Sequence, residues 1–386
     1  MTEYGMIAVI LMASILAGAI FVRLQLPAVI GQLLVGIFLG PALLNFVHLT
    51  KPLQFIAEIG VIFLMFIAGL EADLSLLKKF IKPAVSVAFI GVFFPLAIFF
   101  GITQLWGYNK EQALLFGLVY AATSVSITIG VLQEYDRLNT KEGATILGAA
   151  VVDDILAVLL LSFFVTMCGN QSENSSIGWT LLLQALYMIF LFVIIRFFAP
   201  RVMKFFYELP IFASGVIGAV IICLMLAELA KKCDMSDVIG AFFAGVAVAQ
   251  SKEKIRKKIE NSLSIIGYSF FIPIFFASIG LQMSFTSLRS FCSKGLFFLF
   301  MAVVTKLIGC GIAARANHFS LKSSYIIGAG MVSRGEMGLV VAQIGFAQAM
   351  INKEVYSELV VVIILCTLIA PLLLKHSFSQ VKNKQC

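Results

Sequence analysis

The sequence predicts an all-α polytopic membrane protein of about thirteen transmembrane helices, arranged as inverted six-helix repeats with two broken crossing helices. Three observations lead there. The chain is 61% hydrophobic and only 12% charged, with a mean hydropathy of +1.03, far from the balance of a soluble domain. Apolar runs of about 17–25 residues, the length that crosses a hydrocarbon core about 30 Å thick, recur from end to end. Two of these runs, at matching places in the two halves, are rich in residues that interrupt helices.

Breaking the chain at charge clusters and turn residues gives the spans 5–22, 27–44, 53–70, 83–105, 112–132, 141–168, 177–199, 209–231, 235–250, 261–281, 290–314, 322–347 and 355–374. The first run, Met6 to Val22, follows Glu3 rather than a basic segment and has no small-residue cleavage site after it. It reads as a retained span, not a signal peptide.

Orientation follows from the connections. With the N-terminus outside, the inner connections hold Arg23, Lys78, Lys79, Lys82, Arg137, Lys141, Arg201, Lys204, a cluster at 252–258, Arg315, Lys322, Lys375, Lys382 and Lys384. That is about 18 Lys and Arg inside against about 7 outside, a positive-inside bias that also places the C-terminus in the cytoplasm. The net charge of +8 is spread over these short connections, which argues against nucleic-acid binding. The cluster Lys252, Lys254, Arg256, Lys257 and Lys258 suits a cytoplasmic loop against anionic lipid. Seven cysteines lie mostly within apolar runs without a Cys-x-x-Cys pair, so free thiols are expected. His48, His318 and His376 all fall in connections or the tail, away from the membrane centre.

An odd number of spans allows a six-one-six division about a linker at 177–199, with halves entering the membrane from opposite sides. The fifth span then corresponds to the twelfth. The fifth contains Ala121-Ala-Thr-Ser-Val-Ser-Ile-Thr-Ile-Gly130, dense in hydroxyls and β-branched residues; the twelfth contains Gly328-Ala-Gly-Met-Val-Ser-Arg-Gly-Glu-Met-Gly338, with four glycines and two charges. Paired interruptions of this kind point to a binding site near the midplane, although small residues also permit close helix packing.

The candidate chemistry lies beside them. Asp153 and Asp154 sit together in the apolar run Gly148-Ala-Ala-Val-Val-Asp-Asp-Ile155. One carboxylate at bilayer depth costs roughly 2.5–3.5 kcal/mol even on insertion scales, so two need a cation, a proton or a basic partner. Lys306, in Val303-Val-Thr-Lys-Leu-Ile308, is the intramembrane lysine available. Adjacent residues on a helix point about 100° apart, so one aspartate faces a neighbouring helix while the other faces a cavity. A permanent ion pair holding two spans together is the alternative for Lys306, but it leaves one aspartate unexplained. Arg334 and Glu336 sit in the twelfth span, where they suit compensation of the partial charges of half-helix ends. Thr123, Ser124, Ser126 and Thr128 offer oxygens for a hard cation. Glu58 and Glu228 are expected as further buried acids, Glu58 at a helix interface or in a cytoplasm-linked funnel and Glu228 close to the outer boundary near Lys231.

With these residues the chain resembles the monovalent cation:proton antiporters, most closely the NapA-type bacterial sodium/proton antiporters with their NhaA/NapA-like fold. The resemblance covers nearly the whole length. It rests on Gly31-Gln-Leu-Leu-Val-Gly-Ile-Phe-Leu-Gly-Pro41, Ala121-Ala-Thr-Ser-Val-Ser-Ile-Thr128, the Asp153-Asp154 run, Lys306 and Ser333-Arg-Gly-Glu-Met-Gly338. It implies a secondary transporter, not an enzyme, working without a cofactor as a homodimer in the bacterial cytoplasmic membrane. The dimerisation domain would come from 1–82 and 209–289, and the ion-transport core from 83–170 and 290–376. A linker helix within 171–208 would join them, and a short cytoplasmic tail, 377–386, would follow. The resemblance assigns Na+ (or Li+) binding to Asp154 and pairing with Lys306 to Asp153, with electrogenic exchange driven by an elevator movement of the core. A regulatory nucleotide-binding domain is not expected in this chain.

The mechanism these expectations describe is competition: deprotonated Asp154, helped by Ser126, Thr128 and backbone carbonyls, holds sodium or lithium, and protonation releases it. An empty, charged carboxylate is costly to carry past a hydrophobic seal and a neutralised one is not. Potassium/proton exchange or potassium efflux on the same fold is the alternative. An intramembrane aspartyl protease needs two carboxylates converging on one water, which neighbours on one helix do not supply. A passive channel would show no pH competition.

Overall fold

The computed structural model describes residues 2–24, 26–167, 177–194, 199–233, 235–282, 293–334 and 336–382. Among them every regular element is a helix. In order these are α1 (Glu3–Arg23), α2 (Ala28–Leu39), α3 (Lys51–Glu71), α4 (Leu74–Lys79), α5 (Ile81–Leu105), α6 (Lys110–Ala121), α7 (Val125–Glu134), α8 (Lys141–Met167), α9 (Ile177–Val193), α10 (Ala199–Glu208), α11 (Ser214–Lys232) and α12 (Asp237–Ala249). Then α13 (Glu253–Ile266) runs through one π turn into α14 (Ile272–Leu281), followed by α15 (Ser293–Ala316), α16 (Leu321–Gly330), α17 (Glu336–Ala347) and α18 (Lys353–Lys382).

Nine helical runs among the described residues are long and apolar enough to cross a membrane, and three more are apolar but shorter. The protein is therefore an all-helical, multi-pass membrane protein. The span expected at 27–44 is a helix of only 12 residues. It stops at Leu39 because Gly40 precedes Pro41, whose ring excludes the α conformation from the residue before it, and Gly40 is extended. Parts of the expected linker (171–176, 195–198), of the expected span at 290–314 and of the tail (383–386) lie outside the described residues.

The chain divides into two compact units. The first comprises Met1–Thr50, Leu76–Asn170 and Phe276–Cys386. In it α5 packs against α6, α8 and α15, and α15 packs in turn against α16. Helix α15 shows how a membrane bundle buries a charge. Phe298, Ala302, Lys306 and Cys310, one turn apart, are all fully enclosed. Leu296, Phe300, Ile308 and Ile312 on the other face are exposed and meet lipid rather than water. An aromatic nucleus of Phe99, Phe116, Tyr120 and Phe298 closes the same unit, with ring centroids 4.3 Å apart for Phe99–Tyr120 and 5.3 Å apart for Phe116–Phe298.

The second unit comprises Lys51–Ser75 and Gln171–Phe275. Its helices α3 and α12 touch backbone to backbone at Gly69 and Gly245, where a side chain on either would strike a carbonyl of the other helix. The Tyr187 hydroxyl donates to the Leu226 carbonyl at 2.8 Å and ties α9 to α11. Glu58 and Glu228 are both exposed, contrary to expectation. Glu58 accepts from Gln54 at 3.1 Å, and Glu228 pairs with Lys232 at 3.4 Å, one turn along each helix. Hydropathy places a residue along a span but not around it, so it did not reveal these outward faces.

Candidate ion-binding site

Helix α8 carries both aspartates into the interior of the first unit. Asp153 is 0% exposed and Asp154 7%. The Asp153 carboxylate is held at both oxygens: Oδ1 accepts from Lys306 Nζ at 3.0 Å, and Oδ2 accepts from the Thr123 backbone N–H at 3.0 Å. Lys306 Nζ donates a second bond to Thr123 Oγ1 at 2.5 Å. Carboxylate, ammonium and threonine thus close a ring of three bonds joining α8, α15 and the link after α6. A carboxylate with two charge-assisted donors offsets a desolvation cost that either ion alone would carry in full.

Thr123 can serve both partners only because the helix stops there. Ala122 has φ −62°, ψ 139° and Ser124 has φ −94°, ψ 116°, extended conformations that free the Thr123 amide from any helical acceptor. The second interruption lies between Gly330 and Glu336. The two links meet: Ser124 N–H donates to the Ser333 carbonyl at 3.0 Å, and the Ser333 hydroxyl donates back to the Ser124 carbonyl at 2.5 Å. Thr128 Oγ1 donates to the Gly330 carbonyl at 2.7 Å and lies 2.9 Å from Ser333 Oγ. Thr128 therefore fastens the crossing. The hydroxyl oxygens of Ser124 and Ser126 are buried without a hydrogen-bond partner among the described residues.

Arg334 is fully buried in the second link. One guanidinium nitrogen donates to the Ala122 carbonyl at 3.0 Å and the other to the Ala302 carbonyl at 3.0 Å. The first of these sets a positive charge at the C-terminal end of α6, where the half-helix presents partial negative charge. The Thr367 hydroxyl donates to the Arg334 carbonyl and to that of Ile363. Glu336 opens α17, and its side chain lies outside the described residues.

Asp153, Lys306 and Arg334 are thus gathered at one crossing with Thr128. Ser126 stands in the first turn after the break. Asp154 follows Asp153 on α8, turned about 100° away. Thr123, considered only as one of four hydroxyl donors, proves to be the residue that joins Asp153 to Lys306; its signal is its position at the break, which sequence alone locates only to within a few residues. Two further polar residues were not singled out, although Glu358, within the expected span 355–374, carries the same signal of an acid in an apolar run. Glu134, at the end of α7, accepts the Ala28 N–H at 2.9 Å on each carboxylate oxygen and so caps α2. Glu358 on α18 is buried, 8% exposed.

Residues 8–379 match the family described as sodium/hydrogen exchanger, transmembrane. A Na(+)/H(+) antiporter of Enterococcus hirae is 45% identical over 96% of this chain and 97% of its own length. The Na(+)/H(+)-K(+) antiporter GerN of Bacillus cereus is 38% identical over 96% and 95%. A solved structure of the sodium proton antiporter MjNhaP1 from Methanocaldococcus jannaschii shares the fold, with a TM-score of 0.67, 18% identity, and coverage of 99% of this chain and 98% of that one. A second MjNhaP1 structure, from electron microscopy, has a TM-score of 0.75 at 17% identity, covering 97% and 96%. The chain belongs to the transmembrane sodium/hydrogen exchanger family.

Proposed function

We propose that the protein is a secondary antiporter that exchanges Na+ or Li+ for H+ across the bacterial cell membrane, with Asp154 as the shared cation and proton site. The observation that carries this reading is the division of labour on α8. Asp153 is held at both oxygens by Lys306 and Thr123, while the buried Asp154 that follows it on α8 points about 100° away and stands outside that ring. A carboxylate with hydroxyl and carbonyl oxygens is the donor set a small hard cation prefers. The cation is cargo, taken up when Asp154 is charged and released when it is protonated. Lys306 gains or loses its own proton as Asp153 is drawn into or out of the pair, which makes exchange electrogenic.

The same reading assigns thirteen crossings in inverted six-helix repeats of NhaA/NapA type, with the N-terminus outside and the C-terminus in the cytoplasm. The core of 83–170 and 290–376 moves as an elevator against a dimerisation domain of 1–82 and 209–289 in a homodimer, and the 252–258 cluster rests on anionic lipid. The packing of α5, α6, α8 and α15 around the Asp153–Lys306 pair supports the assignment of the core. Potassium is the second candidate cargo, favoured by the 38% identity to a protein described as a Na(+)/H(+)-K(+) antiporter.

The test is cation-driven collapse of a preset pH gradient in proteoliposomes, with membrane potential followed at the same time. Sodium and lithium should collapse it and displace charge. Equal response to potassium selects the second reading, and no response to any of the three rejects both.

A further inference from the structure

The Lys306 ammonium owes its position to a neighbour that has no side chain. Gly91 lies on α5 opposite the stretch of α15 where Lys306 and Cys310 stand one turn apart. A Cβ built on Gly91 would lie 2.7 Å from Cys310 Sγ and 3.6 Å from Lys306 Nζ. The first separation is about 1 Å inside the distance at which non-bonded heavy atoms rest. Cys310 is 0% exposed, and its thiol points at the Val87 carbonyl, 3.8 Å away and one turn before Gly91 on α5. The thiol therefore fills the place where a side chain at residue 91 would stand. Helix sterics leave a cysteine few χ1 choices, so a clash here is relieved mainly by moving α15 away from α5. Lys306 sits 3.0 Å from Asp153 Oδ1, and a displacement of about 1 Å carries it past hydrogen-bonding distance.

We infer that Gly91 is a positioning residue for exchange: by seating Cys310 against α5 it holds Lys306 within reach of both Asp153 and Thr123. This rests on the exchange reading above. Gly91 touches neither cargo nor carboxylate; it acts through the spacing of two helices. Adding one methyl there should disturb the proton-carrying pair, and removing the Cys310 thiol should restore the space.

The experiment compares Gly91→Ala, Cys310→Ala and the double variant in proteoliposomes across a pH series. Gly91→Ala should lower exchange about tenfold or move its half-active pH by about one unit, while the double variant matches Cys310→Ala within about threefold. A Gly91→Ala variant with both wild-type exchange rate and wild-type pH profile overturns the inference, as does a double variant that stays impaired relative to Cys310→Ala. Should Gly91→Ala fail to fold, the double variant decides alone. A readout independent of transport separates this inference from the exchange reading: the thermal destabilisation caused by Lys306→Gln should be smaller in the Gly91→Ala background than in the wild type. If wild-type protein moves no protons in response to sodium, lithium or potassium, the exchange reading fails, while this stability comparison still judges Gly91. An undiminished effect of Lys306→Gln overturns the positioning role.

Discussion

Lys306 and Thr123, 183 residues apart in sequence, meet with the lysine ammonium 2.5 Å from the threonine hydroxyl, and both hold the same aspartate. The lysine supplies charge to one oxygen of Asp153 and the unwound backbone supplies an amide to the other. Movement of the link between α6 and α7 therefore changes the surroundings of carboxylate and ammonium together. A buried ion pair held this way responds to helix geometry.

Replacing Lys306 with Gln removes one ion and leaves Asp153 charged and enclosed. Breaking a buried pair in this way costs about 3–5 kcal/mol, whereas removing both charges costs far less. Lys306→Gln should lower the melting temperature in detergent markedly, and Asp153→Asn with Lys306→Gln should regain most of that loss. If Lys306 carries a proton, the charge moved per cation should also change in the single variant. An unaltered current in sealed vesicles would count against that role.

Asp154→Asn should behave in the opposite way. The residue follows Asp153 on α8 but is not part of the ring formed with Lys306 and Thr123, and the proposed function gives its carboxylate to the cargo. Exchange should be abolished at every pH while the protein still folds, with a smaller loss of melting temperature than Lys306→Gln shows. Dye-monitored sodium/proton exchange that persists in this variant would remove Asp154 from the site.

Arg334→Lys tests the crossing. Two carbonyls, of Ala122 and Ala302, are reached by separate guanidinium nitrogens, and a lysine ammonium, a point donor on a flexible stem, does not span both. The Ala122 carbonyl ends α6, and leaving it without a donor costs about 1–3 kcal/mol, whereas the Ala302 carbonyl lies inside α15 and keeps its helical donor. The variant should be less stable and should lose exchange rate at saturating cation more than apparent affinity, because the C-terminal end of α6, not the cargo, loses its partner. Rates measured against sodium concentration separate the two.

The places where sequence reasoning succeeded and failed have physical causes. Both interruptions were legible, because a run of hydroxyl and β-branched residues and a stretch with glycines at 328, 330, 335 and 338 weaken a helix locally. The buried acid–base trio was visible because charges in apolar runs are costly; which aspartate takes the lysine came from resemblance to the family, and the ring of bonds around Asp153 accords with it. The truncation of α2 was written in Gly40-Pro41 but was masked by a long apolar run. The exposure of Glu58 and Glu228 depends on the face a helix turns outward, and spans that are apolar on all sides carry little record of that. The double role of Thr123 depends on backbone angles at a single residue, finer than any propensity resolves.

Glu134 makes a further contact that the sequence does not show, joining positions 106 apart. Its two oxygens both receive the Ala28 N–H at 2.9 Å, which places a carboxylate at the amino end of α2, behind a proline that supplies no cap of its own. A negative charge there favours the helix dipole and fills an otherwise unmatched donor, an arrangement worth about 0.5–2 kcal/mol. Because α2 touches α7 at few other places, this bond ties the α1–α2 hairpin to the crossing helix. Glu134→Gln keeps an acceptor oxygen and loses the charge, so it should retain part of the stability; Glu134→Ala should lose all of it. Backbone hydrogen exchange at Ala28 should speed up in the same order, glutamate slowest and alanine fastest, and equal exchange in all three would show that the carboxylate does not hold α2.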